Sequence, residues 1–270
     1  MLRALALWPL LAVLALPADA DARVAVLMDL MRLAEFAGIL QEENRREAER
    51  IEADMLDGQG GAVWEAQLRA LLAPERTLEA LRQAMAAHLP GDLMDRAVAF
   101  YGTGAGQSVT QLELDARRLM ADPEVEAAAK ERYAELTAQG DPVLAEVRRI
   151  IEANDMVGRN VAATLNANYQ FLRGLDEGGA IDGSQADHLA EAAAQHDRIE
   201  EQTRTWLGAY MLLAYHPLPE GDLAAYAAFM ESPAGRALNA ALFAGFGAAR
   251  AELSYALGRF VAVNRQSGEL

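Results

Sequence analysis

The sequence predicts an all-α protein in which two related helical bundles, the products of an internal duplication, pack together after a cleaved signal peptide. Three observations predict this fold class. The 270-residue chain is 52% apolar but only 6% aromatic, and its abundant alanine favours helices packed closely over small side chains. Apolar residues recur at steps of three and four along most of the chain, as on one face of a helix. A short phrase also occurs twice.

The first 20 residues are predicted to be a signal peptide. Arg3 supplies a positive charge, residues 4–16 form an apolar stretch of 13 residues, and small residues offer a cleavage site at 18–20 or 20–22. An uncleaved membrane anchor is the alternative, but a spanning helix needs about 20 apolar residues. The chain has no cysteine, so a lipid attached to cysteine is excluded. We therefore expect an exported mature protein that is not embedded in a membrane.

In the first predicted half, residues 21–140, glycine and proline separate the helices. An apolar stripe that includes Leu27 gives way to a charged run over residues 42–52, which predicts one helix with a solvated face, ending at the glycines of residues 58–61. Because proline fits a first helical turn, Pro74 and Pro123 are predicted to start helices. Helices are predicted over residues 62–73 and 74–88. One further helix is predicted on each side of the first copy of the phrase, and another begins at residue 123.

The second predicted half, residues 141–270, begins at a break over residues 139–141. Long helices are predicted over residues 142–173, 184–215 and 233–263. The first starts at an aspartate cap followed by proline, and the second starts at Ser184 with an acidic residue in the capping-box position.

The repeated phrase is the basis for predicting a duplication. It covers residues 99–106 (AFYGTGAG) and residues 228–235 (AFMESPAG), so that its two phenylalanines lie 129 residues apart. A Gly-Asp-Leu sequence introduces each copy, at residues 91–93 and 221–223. Each copy also opens a long run rich in alanine and leucine, so a repeated unit is a better explanation than chance.

Each copy predicts a corner between two helices. The hydroxyls of Thr103 and Ser232 are placed to accept hydrogen bonds from amides that the next helix leaves unpaired, and Pro233 fits the first helical position. Aromatic side chains before the turn would pin the first helix into the core, and a glycine after it leaves room for a close crossing. These packing residues are Phe100, Tyr101 and Gly106 in the first copy, and Phe229 and Gly235 in the second.

The second copy resembles a bacterial exported family known as domain of unknown function 2059. The similarity lies in an apolar helix that ends at Phe229, followed by Ser232, Pro233, a small residue and Gly235. The first copy departs from the family pattern, because Gly104 stands where the family has proline. The resemblance implies two copies of an all-helical periplasmic domain of Gram-negative bacteria, with no established activity.

An anion site is the functional alternative for the first corner. Unpaired amides at a helix start carry partial positive charge, and the glycine-rich residues 102–106 would not block access to them. These glycines do not form a dinucleotide or phosphate-loop fingerprint, because a predicted helix precedes them where those motifs have a strand.

The sequence predicts no catalytic residue, no metal ligand and no cofactor. His188 and His196 are eight residues apart, which places them on different sides of a helix, whereas a helical zinc site places two histidines four apart. The chain has no cysteine and no Gly-x-Ser-x-Gly sequence. The formal net charge of −16 repels phosphate backbones, so nucleic acid is not an expected partner.

Two helical stretches offer further candidate surfaces. One is rich in polar side chains and is interpreted as an exposed face, with an interface between the halves or a polar ligand groove as alternatives; its residues are Asn154, Asp155, Arg159, Asn160, Asn166, Asn168, Tyr169 and Phe171. The other, residues 241–248, mixes small residues with phenylalanine. It is interpreted as core, and an exposed partner site is the alternative.

We therefore predict an exported, non-enzymatic protein that acts by binding, as a chaperone-like or envelope interaction protein whose partner is another envelope protein or a small ligand. An exposed apolar groove would favour such a binder. A deep polar pocket with converging ionisable groups would favour a periplasmic hydrolase or other enzyme, and a closed apolar cavity would favour a carrier of small apolar ligands.

Overall fold

Helices make up the regular secondary structure throughout residues 17–268, the part of the chain that the computed structural model describes, and side chains are described from residue 21 to residue 265. No strand occurs in that part, so the predicted all-α class is confirmed. The helices are α1 (Pro17–Leu30), α2 (Leu33–Leu56), α3 (Gly61–Leu71), α4 (Pro74–His88), α5 (Gly91–Tyr101), α6 (Gly104–Leu119), α7 (Pro123–Gln139), α8 (Pro142–Ala153), α9 (Met156–Glu177), α10 (Gln185–Ala193), α11 (His196–Tyr215), α12 (Glu220–Glu231) and α13 (Pro233–Gly268).

Several helices begin where side-chain caps predicted a start. The carboxylates of Asp122 and Asp141 accept hydrogen bonds from the amides two residues later, both at 2.9 Å, and a proline follows each aspartate. Ser184 and Asp187 form a capping box, in which each side chain accepts a hydrogen bond from the backbone amide of the other residue. Such reciprocal bonds satisfy amides that a helix start would leave unpaired.

Three helices that were predicted to be continuous are broken. The first breaks at Arg32 and the helix of residues 142–173 breaks at Asp155; both residues have left-handed backbone, with φ of 50° and 47°. The helix of residues 184–215 breaks at residues 194–195. No glycine or proline marks these breaks. Left-handed backbone costs a non-glycine residue about 1–2 kcal/mol, and burial on both sides of the Arg32 break, including Leu27 and Leu33, offsets that cost.

The helices of the two predicted halves follow one another in a corresponding order. A left-handed residue separates α1 from α2 and also separates α8 from α9. Helix α1 packs against α4 and α5, while α8 packs against α11 and α12. Helix α7 lies between the two sets in the chain. These parallels are those that a duplication requires, and the duplication itself stays a prediction.

One hydrophobic core contains residues of both predicted halves. Leu81 and Met85 of α4 are fully buried together with Met211 of α11 and Leu238 of α13. Helix α13 packs along α9 and also against α4 and α5, and α11 packs against α6 and α7. A smaller cluster around Trp64 joins α2 and α3 to the later turns of α9 and α13.

Helices α9 and α13 approach each other through glycine. A Cβ atom on Gly174 would lie 2.2 Å from the carbonyl oxygen of Tyr255, and one on Gly258 would lie 2.3 Å from the carbonyl oxygen of Phe171. Side chains at these two positions would therefore force the helices apart.

The amino-terminal prediction falls mostly outside the described residues. The apolar stretch of residues 4–16 lies there, and α1 begins at Pro17. Among residues 17–268, none of the helices combines the length and apolar composition that crossing a bilayer requires.

Candidate functional site

The two repeated corners lie against each other in the core. The Phe100 and Phe229 rings stack with centroids 4.3 Å apart and planes 4° apart, and the Tyr101 ring meets Phe229 edge-on at 5.8 Å. The Thr103 hydroxyl accepts a hydrogen bond from the Gly106 amide at 3.1 Å. The predicted residues of the two copies therefore form one aromatic contact between α5 and α12.

The second corner repeats the geometry of the first. The Ser232 hydroxyl accepts a hydrogen bond from the Gly235 amide at 3.1 Å, and Pro233 occupies the first position of α13. A Cβ atom on Gly235 would lie 2.1 Å from the Phe229 carbonyl oxygen, and one on Gly106 would lie 2.4 Å from the corresponding Phe100 oxygen. Both glycines therefore allow the tight crossing that the sequence predicts, while the anion site stays an untested alternative.

A carboxyl group surrounded by tyrosines lies near the corners, and no sequence pattern indicated it. The Tyr215 and Tyr226 hydroxyls donate to Glu113 Oε1 at 2.5 Å and 3.0 Å, and the Tyr210 hydroxyl donates to the Glu113 carbonyl oxygen at 3.1 Å. Burial raises the pKa of Glu113, although the hydrogen bonds from Tyr215 and Tyr226 oppose the rise. Burial, followed by the nearby Glu113 charge, raises the pKa of Tyr101.

A groove of about 730 Å³ is lined by residues of four helices, α2, α9, α11 and α13, among others. Much of its wall is aromatic and aliphatic: Phe36, Leu40, Trp206, Phe243, Phe246 and Leu253. The Phe36 and Phe246 rings are 5.3 Å apart, and the Trp206 ring stacks on Tyr210 at 5.2 Å. Since α2 belongs to the first predicted half and the other three helices to the second, the groove lies between the halves.

Charged side chains at the groove are paired with one exception. Arg117 donates two hydrogen bonds to Glu43, at 2.7 Å and 2.6 Å, and its guanidinium lies 4.9 Å from the centre of the Trp206 ring. Four other charged side chains that line the groove form two ion pairs, Arg76 with Glu252 and Lys130 with Glu126.

Arg250 is the exception among the cations that line this groove. It forms no hydrogen bond or ion pair with any residue between 21 and 265. Its side chain is exposed to the groove. Desolvation and, second, the charge of Arg117 lower its pKa, whereas the charges of Glu47 and Glu43 act in the opposite direction.

An incompletely satisfied amide also lines the groove. Asn239 is 5% exposed, and its Oδ1 atom is buried without a hydrogen bond to any described residue. Buried polar atoms are nearly always hydrogen-bonded in folded proteins, so an orphaned one needs an explanation.

The polar stretch around residue 160 is only in part the exposed face that was predicted, since Asp155, Arg159 and Asn166 are exposed and its other residues are buried or half-buried. Asn154 is buried, and its amide donates to the carbonyl oxygens of Ile150 and Met230, both at 3.2 Å, which joins α8 to α12. Asn160 lines the groove, and Asn168 donates to Gln195 at 3.0 Å. The groove alternative therefore describes Asn160, whereas Asn154 and Asn168 contact other residues of the second half and not an interface between the halves.

The small and aromatic residues of α13 divide between core and groove. Ala241 is fully buried, and a Cβ atom on Gly245 would lie 2.8 Å from the Leu81 Cα atom of α4. Phe243, Phe246 and Gly247 line the groove instead. The core interpretation is therefore wrong for the groove side of this helix. The sequence contained a pattern that could have predicted this groove face. Four residues recur at three- and four-residue steps, as on one face of a helix: Asn239, Phe243, Phe246 and Arg250.

The histidines lie apart from this groove. His188 is buried in α10, with Nε2 3.3 Å from Asp176, whereas His196 lies at the start of α11 beside Asp197. A second groove, of about 490 Å³, is lined in part by His196, Glu200 and Arg204; the last two form an ion pair at 2.6 Å. Within the described residues no group of three or more potential ligands is placed to hold a metal ion.

Comparisons with protein-family models, with curated protein sequences and with solved structures gave no match. The resemblance of the corner to the exported family therefore stays a prediction.

Proposed function

We propose that this protein is an exported, non-enzymatic binding protein that holds a largely apolar small ligand in the groove between α2, α9, α11 and α13. The observation that carries the proposal is the wall of the groove, where Phe36, Trp206, Phe243 and Phe246 offer aromatic surface around about 730 Å³. Ligand pockets of about 300–1,000 Å³ with mostly apolar walls and a few polar groups are typical of small-molecule sites.

The charges at the groove favour binding over hydrolysis. A general base needs a carboxylate or imidazole that is free to accept a proton within reach of a bound substrate. The groove carboxylates Glu126 and Glu252 are each held by a cation, Lys130 and Arg76 respectively. The enzyme alternative therefore has less support than the binder.

Export to the periplasm is part of the same proposal. It is supported by the charge, apolar stretch and small residues at the amino terminus. Cleavage at either predicted site would remove no described core side chain, because Asp21 and Ala22 are exposed and the buried residues of α1 begin at Val24. The mature protein could therefore keep the core contacts of α1.

Filling the groove tests the binding function. Gly247 lines the groove, and a Cβ atom there would meet no other atom within 4 Å, so Gly247→Leu adds bulk to the groove without a clash at its first atom. Gly38→Leu is the matched control, because Gly38 also lies in a helix with open space at its Cβ but does not line the groove. The probe is Nile red, a neutral dye that fluoresces strongly in apolar surroundings.

We expect Nile red to bind the unmodified protein and the Gly38→Leu variant alike, and to bind Gly247→Leu about tenfold more weakly or worse. Circular dichroism of each variant verifies that it is folded. Absence of Nile red binding by the unmodified protein, or equal binding by the two leucine variants, would contradict the proposal.

A further inference from the structure

We infer that the ligand is an amphipathic monoanion, such as a medium-chain carboxylic acid, whose acid group pairs with Arg250 and whose apolar chain lies along Phe246 and Phe243. This inference rests on the proposed function, and it adds the chemical class and the orientation of the ligand in the groove.

The pairing of charges identifies Arg250 as the position for an acid group. Of the four cations that line the groove, Arg76, Arg117 and Lys130 each have a carboxylate partner. Arg250 has no such partner among residues 21–265. Arg250 is exposed toward the groove and lies near the guanidinium of Arg117, so an anion bound at this end is attracted by two positive charges. A carboxylate of the ligand would pair with Arg250 as the Glu43 carboxylate pairs with Arg117.

The spacing along α13 gives the ligand its orientation. Asn239, Phe243, Phe246 and Arg250 follow one another at steps of four, three and four residues, which places them on one face of the helix. At 1.5 Å per residue, the eleven steps from the first to the last span about 16 Å of the helix axis. Two phenylalanine rings lie between the polar ends, so the middle of the groove suits an unbranched apolar chain.

The charge of the protein limits how many charges the ligand carries. A formal net charge of −16 repels polyanions such as polyphosphates at a distance. Arg250, the groove cation without an ion pair to any residue between 21 and 265, matches one negative charge.

Three twelve-carbon probes that differ only in their head group test the inference. Dodecanoate, dodecanol and dodecylammonium are titrated below their micellar concentrations, each in competition with Nile red. The protein variants are the unmodified chain, Arg250→Gln, and Arg148→Gln as the control. Arg148 is an exposed arginine of α8 that does not line the groove, so its variant reports the loss of one positive charge elsewhere on the surface.

We expect dodecanoate to bind the unmodified protein and Arg148→Gln about tenfold more tightly than dodecanol, with dodecylammonium weakest, since a hydrogen bond to a charged group has this order of effect. Arg250→Gln is expected to abolish this preference, so that dodecanoate and dodecanol bind the variant equally. Equal binding of the acid and the alcohol, or a preference that survives Arg250→Gln, would overturn the inference. If Nile red still binds and Gly247→Leu still blocks it, only the head-group assignment is wrong; if neither Nile red nor a dodecyl compound binds, the binding function itself is wrong.

Discussion

Glu113 shows how a single buried group can make the stability of this protein depend on pH. Its carboxyl end lies against Tyr215 and Tyr226, which are 2% and 3% exposed, so little water reaches the charge. Burial raises the pKa of Glu113 in the folded state above its ordinary value of 4.5. The folded protein therefore holds this proton more tightly than the unfolded chain does. The resulting contribution to stability is complete below pH 4.5 and is lost as the pH rises through the folded-state pKa.

Glu113→Gln is expected to remove this pH dependence. Glutamine keeps an oxygen that can accept the two tyrosine hydroxyls and has no charge to desolvate. Urea unfolding of both proteins at a series of pH values measures the free energy of unfolding. We expect the variant to gain stability relative to the unmodified protein as the pH rises above 4.5. Glu131→Gln, at an exposed position of α7, controls for the loss of one negative charge. A difference between Glu113→Gln and the unmodified protein that is the same at every pH would show that the Glu113 pKa is not raised.

The two helical corners stabilise each other through their phenylalanines. Phe229 is 9% exposed and Phe100 is partly buried, and the two rings form the closest ring contact described. Each ring lies in the last turn of a helix, α5 or α12, just before the residue whose hydroxyl caps the next helix. The contact therefore fixes the position of α6 relative to α13 as well as filling the core.

A double-mutant cycle measures this contact. Phe229→Ala is expected to lower the free energy of unfolding by about 3–5 kcal/mol, because it leaves a cavity in the core; the partly exposed Phe100 should cost less. We expect the two losses to be non-additive, with a coupling energy of about 0.5–1.5 kcal/mol, as for other packed aromatic pairs. The control cycle combines Phe100→Ala with Phe260→Ala, since Phe260 packs on the separate cluster around Trp64. Equal coupling in the two cycles would argue against a specific contact between the corners.

The halves defined by the sequence are not independent in their packing. Helix α4 of the first half is covered by α13 of the second, and Leu81 and Met85 are fully buried in the shared core. Without the second half, these side chains and Tyr101 would be exposed to water. Burial of a large apolar side chain contributes about 1.5–3 kcal/mol, so a separated half would lose a large part of its stabilisation.

We therefore expect the protein to unfold as one cooperative unit. Tryptophan fluorescence and circular dichroism are expected to give coincident urea transitions for the whole protein. A fragment of residues 21–140 is expected to show no cooperative transition by either signal. A fragment that unfolds cooperatively by itself would mean that the first half carries a sufficient core of its own.

The sequence allowed prediction of those features that depend on neighbouring residues. Pro74 and Pro123 start helices as expected, and the caps at Thr103 and Ser232 have the predicted partners. The breaks at Arg32 and Asp155 were not predictable, because no glycine or proline stands at either left-handed residue. Glu113 likewise meets tyrosines about a hundred residues away in sequence, so no local pattern indicates its environment. The groove was predictable only in part. The residues of α13 that line it are periodic in sequence, but the fold determines which groove cations have an ion-pair partner among residues 21–265.

The contact between Gly174 and Gly258 has a consequence for what the groove can admit. It lies beyond the Leu253 end of the groove, where the backbones of α9 and α13 touch without intervening side chains. Rotamer changes cannot relax such a junction, so it sets the separation of the two walls at that end. The groove would then select ligands by their width near the junction and by their length toward Asn239. The two glycines would thus limit the width of a bound molecule without contacting it.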